Sequence, residues 1–126
     1  MNKEVIILEL ASLIRSLDFM QEEQAFIKSK LTGKLDSTQD ITMLNWVEDI
    51  QQQIINRELA IQLLKKDVQQ LDRIFNLKRV SGSIDEDQMS QFKNDKEQVQ
   101  YLEKEFFVWK NNINHQLELT TTNTTS

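Results

Sequence analysis

Val47, Ile54, Ile61, Val68 and Phe75 stand seven residues apart without a slip, and this row limits the possible folds more than any other feature. Two turns of an α-helix take about 7.2 residues, so side chains at this spacing stack along one face. Met43, Ile50, Leu64 and Leu71 fill the complementary seam positions, with Arg57 as the exception. The pattern predicts a helix over about 38–79, roughly 63 Å long.

Similar rows flank it. Ile6, Leu10, Leu13, Leu17, Met20, Ile27 and Leu31 recur in alternating steps, and only Gln24 breaks the series. They predict a first helix over about 3–32, with Asn2 as its N-cap and Gly33 as a left-handed residue closing it. The phase of this helix is ambiguous, because Ile7 and Ile14 could replace Ile6 and Leu13 on the buried side. Asp36-Ser37-Thr38 offers the cap of the second helix. Val80-Ser81-Gly82-Ser83 reads as the second turn, with Ser83 and Glu86 spaced as a capping box. A third helix over about 84–118 carries Phe92, Val99, Phe106 and Ile113 at sevenfold spacing, with Leu102 and Trp109 between them. The closing Thr-Thr-Thr-Asn-Thr-Thr-Ser is polar and repetitive, so residues 120–126 are expected to be a disordered tail.

Proline is absent and there are two glycines, too few turn formers for a strand-rich fold. Short loops join neighbours antiparallel. The expected architecture is therefore all-α: an elongated antiparallel three-helix bundle with coiled-coil-like heptad packing, spanning residues 1–119. Folding about the two turns puts Leu13, Arg57 and Phe106 near one layer, Ile54 beside Trp109, and Leu64 opposite Val99. Helix two exceeds helix one in this scheme, so the hairpin around 80–84 should project beyond helix one.

Composition excludes several functions. A formal net charge of -5 opposes a phosphate-binding face, so nucleic acid is not an expected partner. The apolar stretch Val5 to Leu8 is interrupted by Glu9 and Arg15, which predicts neither a leader nor a membrane span, and a cytoplasmic location follows. No cysteine is present, which removes disulfides, thiolate metal sites and cysteine nucleophiles. The one histidine, His115, has Asn112 three residues before it where a di-iron bundle would place glutamate. The acidic neighbours Glu22–Glu23 and Glu48–Asp49 point about 100° apart on a helix and cannot face each other. No enzyme activity, cofactor or metal is expected.

Two features remain. Arg57 and Gln24 occupy seam positions, as polar core residues that fix register or as groups aimed at a partner. Glu103, Glu105 or the ring of Phe106 could receive Arg57. Apolar residues also exceed what three seams need. Ile55, Leu59 and Leu63 point away from the main row, and Phe107 and Val108 leave the seam of helix three on either flank. Leu8, Phe19 and Phe26 do the same on helix one. Such a surplus marks either wide-face packing or an interface. The function expected is a non-catalytic protein–protein interaction module (an adaptor, scaffold or small chaperone), assembling as a homodimer or holding a partner helix. The alternative is a ligand-binding or enzymatic bundle with a pocket lined by Trp46, Trp109 and Arg57.

Overall fold

The computed structural model describes residues 2–79 and 82–125, with side-chain surroundings through Leu119. It is an all-α three-helix bundle: α1 (Lys3–Ser37), α2 (Ile41–Leu77) and α3 (Glu86–Thr125), running up, down and up.

The helix ends differ from expectation in instructive ways. Asn2 caps α1 as its sequence implies, its Oδ1 accepting from the Val5 amide at 2.9 Å. Gly33 does not close that helix. The chain continues helically through it to Ser37, and the positive φ among the described residues belongs to Gly82, at 98°. One glycine costs a helix only about 1 kcal/mol, too little to stop one with Leu31 buried just before it. The cap of α2 is Asp40, whose Oδ1 accepts from the Thr42 amide at 3.0 Å, and not the Asp36-Ser37-Thr38 run. The expected Ser83–Glu86 box gives way to Asp85, which accepts from the amides of Asp87 at 2.9 Å and Gln88 at 3.4 Å. Aspartate and serine cap about equally well, so proximity to the first helical turn decides. The helical backbone of α3 also continues to Thr125, across the segment the sequence sets apart as a tail.

A methyl group at Gly33 would meet nothing within 4 Å. Gly33→Ala is therefore expected to stabilise the bundle by about 0.5–1 kcal/mol. Thermal unfolding should show this as a midpoint raised by about 2–4 °C.

The seams form one continuous core. Ile6, Leu10, Leu13, Leu17, Met20, Gln24, Ile27 and Leu31 of α1 are all buried, and Ile7 joins them while Ile14 is only partly covered. On α2 the complete row from Val47 to Phe75 is buried; on α3 Phe92, Val99, Phe106, Trp109 and Ile113 are.

Polar contacts between helices fix the register. Arg57 pairs with Glu105 at 2.9 Å and Trp109 Nε1 donates to Gln53 Oε1 at 2.8 Å, so the α2–α3 alignment agrees with the expected one to within a residue. The α1–α2 alignment does not. Gln21 and Gln24 donate to Glu58 at 2.9 and 3.2 Å, and Lys65 pairs with Asp18. At the height of Arg57, α1 thus presents Gln21 and Gln24, about two to three turns beyond Leu13. The cause is the turn itself, which lies at 38–40 because α1 runs past Gly33. Lys96–Glu9 at 3.1 Å and Lys110–Glu23 at 2.9 Å hold α1 and α3 parallel at a constant offset.

This shift also removes the projecting hairpin. Helices α1 and α2 have 35 and 37 residues, and the start of α1 reaches the α2–α3 connection. Lys3 Nζ donates to the carbonyls of Lys78 and Gly82, each at 2.7 Å, and Glu4 pairs with Arg79 at 3.3 Å. Helices α1 and α2 approach each other more closely than either approaches α3.

Candidate interaction surface

At mid-height the core turns polar. Arg57, only 17% exposed, lies with its guanidinium carbon 4.5 Å from the centre of the Trp109 ring while bonding Glu105. Trp109 in turn packs obliquely on Phe106, ring centres 5.8 Å apart. The acceptor among the expected alternatives is thus Glu105 rather than Glu103, and the ring is that of Trp109 rather than Phe106. Arg57 turns inward and its charge is used inside the bundle. Gln24 is buried in the neighbouring seam; its amide nitrogen reaches Glu58, but its Oε1 has no hydrogen-bond partner. Arg57 Nη1 is likewise buried and unmatched. A donor and an acceptor are therefore left over in adjacent seams at one height, a polar layer that specifies register at some cost in stability.

A third polar residue of the core, Asp95, leaves little trace in the sequence. Asp95 is 3% exposed, three residues after Phe92 and four before Val99, where the alternating row calls for an apolar side chain. Burial, and after it the like charge of Asp67 on α2, raises its carboxyl from 3.8 to about 6. Its Oδ2 has no hydrogen-bond partner. The gap in the row was the available signal. His115 is exposed and, among the described residues, no cluster of histidine and acidic side chains is placed to hold a metal ion.

The surplus apolar residues are solvent-facing: Ile55, Leu59, Leu63, Phe107 and Val108 are each more than half exposed. They do not share one face. Ile55 and Leu59 border the α1–α2 groove beside Gln21 and Glu58. Leu63 borders the α2–α3 groove with Tyr101 and Leu102. Phe107 lies across the bundle in the α1–α3 groove next to Phe19, and Val108 lies on the other flank of α3 near Tyr101 and Trp109. Consecutive helical residues point about 100° apart, which forces Phe107 and Val108 onto different sides. The α1 residues Phe19 and Phe26 are partly shielded by lysines, Lys110 standing 5.8 Å and Lys30 4.6 Å from the ring centres. The three residues of α2, spaced by four, form a row along that helix. Tyr101, 69% exposed, was not singled out from the sequence.

Fold and surface define a class, the all-α bundle with a buried apolar core and large apolar residues left exposed outside it. No protein-family model matches the sequence, and no curated protein and no solved structure is similar enough to it to inform its function. Among the described residues no helix is long and apolar enough to cross a membrane.

Proposed function

We propose that this chain is a non-catalytic protein–protein interaction module, an adaptor, scaffold or small chaperone that works through the outer surface of its helices. The observation that carries this is the row Ile55, Leu59 and Leu63, exposed by 62%, 57% and 59% outside a core that buries the apolar seams of all three helices. Apolar side chains kept in water at helical spacing, with polar neighbours around them, suit helix-to-helix docking. A ligand pocket is the weaker alternative. The furrows between the helices are open, and Arg57 and Trp109 already bond to Glu105 and Gln53.

Light scattering coupled to size exclusion, over a wide concentration range, is expected to show a mass above the 14.9 kDa of one chain at the concentrated end. Proximity labelling in the source cells provides the second measurement, with an Ile55→Ser/Leu59→Ser/Leu63→Ser variant as control. A mass of one chain throughout, together with identical neighbours for the wild type and the variant, would overturn the proposal.

A further inference from the structure

The outer side of α2 carries more than three apolar residues. Glu48, Ile55, Leu59, Leu63, Lys66 and Arg73 lie along one line of the helix, separated by steps of three, four or seven, and all are exposed. Among the described residues Glu48, Lys66 and Arg73 have no ion-pair partner, whereas the adjacent Lys65 is tied to Asp18. The line is thus acidic at one end, apolar in the middle and basic at the other. It is also centred: Ile55 and Leu63 stand four residues to either side of Leu59.

We infer that the partner of this row is a second copy of the chain, docked antiparallel along α2 with Leu59 on the two-fold axis. The inference rests on the interaction reading above and specifies its partner and geometry. An isologous pairing about Leu59 sets Ile55 against Leu63 of the other copy. It sets Glu48 opposite Gln70, about one turn from Lys66 and Arg73, and Gln52 opposite Lys66. Parallel pairing would stack Glu48 on Glu48 and each cation on its equal. A chain of net charge -5 repels its copy overall, so locally matched charges select the antiparallel mode.

Because the chain has no cysteine, single-cysteine variants report the geometry cleanly. Leu59→Cys is expected to form a disulfide-linked dimer under mild oxidation, since antiparallel docking brings the two copies of this position together. Glu48→Cys alone should stay unlinked, its two copies being roughly 33 Å apart, yet link when mixed with Gln70→Cys. Leu59→Lys should weaken dimerisation by about a hundredfold while circular dichroism stays helical. Glu48→Lys should weaken it too, and adding Lys66→Glu and Arg73→Glu in the same chain should restore it.

Self-linking of Glu48→Cys would overturn the antiparallel geometry. A wild-type dimer that Leu59→Cys fails to link would place the interface elsewhere, ending this inference but not the interaction reading. A wild type that stays monomeric ends it as well, and leaves the interaction reading to the neighbour measurement.

Discussion

Truncating Phe106 to alanine is expected to destabilise the bundle by about 3–5 kcal/mol. The ring is 1% exposed and sits in the core, beside Met20 of α1 and against Trp109. Its removal deletes buried apolar area and leaves a void that two rigid neighbouring helices cannot close. It also frees one face of Trp109, the ring on which Arg57 rests. Urea unfolding followed by tryptophan fluorescence measures the loss. Phe107→Ala is the internal control: one position along, its ring is 51% exposed, and the expected change is under about 1 kcal/mol. Equal losses at the two positions would contradict the observed phase of α3.

Asp95→Asn should move stability in the other direction, and in a pH-dependent way. The carboxyl titrates near its ordinary value in the unfolded chain and at about 6 in the bundle. Between roughly pH 4 and 6 the unfolded chain has released this proton while the folded one still holds it. Folding therefore binds a proton, and stability falls as pH rises through that window. Above it the full penalty persists. The groups around it do not relieve the charge: Asp67 on α2 repels it, and the nearby Lys96 is bonded to Glu9 of α1. Asp95→Asn should thus gain about 3 kcal/mol at pH 7 and almost nothing at pH 3.5. Chemical denaturation at the two pH values gives the comparison. An equal gain at both would assign the effect to packing rather than to charge.

Much of this architecture is legible in the sequence, because burial imposes a period that apolar residues must obey. The seams of all three helices, including the polar interruptions Gln24 and Arg57, lie where that period puts them, although Met43 and Leu102 are only half-buried. Helix ends are less legible, since Ser83 and Asp85, or Thr38 and Asp40, are near-equal caps and a fraction of a kcal/mol chooses between them. A turn placed at Gly33 instead of 38–40 shifts every expected layer of the α1–α2 pair while leaving α2–α3 in place. Asp95 went unnoticed because a missing apolar residue is a weaker signal than a present one. The placement of the outer residues depends on which neighbour flanks each helix, and periodicity within one helix carries no such information. Phe107 and Ile55 share a height but not a face for this reason.

The odd number of helices has an electrical consequence. Peptide dipoles along α1 and α3 point the same way, and α2 cancels only one of them, so the backbone alone would form a rod with a positive and a negative pole. The positive pole is where Lys3 meets Gly82, and there the first turns of α1 and α3 carry Glu4, Glu86 and Asp87. At the opposite pole Lys34 occupies the last turn of α1. The terminal side chains thus blunt a field that the topology creates, and an antiparallel pair of such rods would cancel what is left.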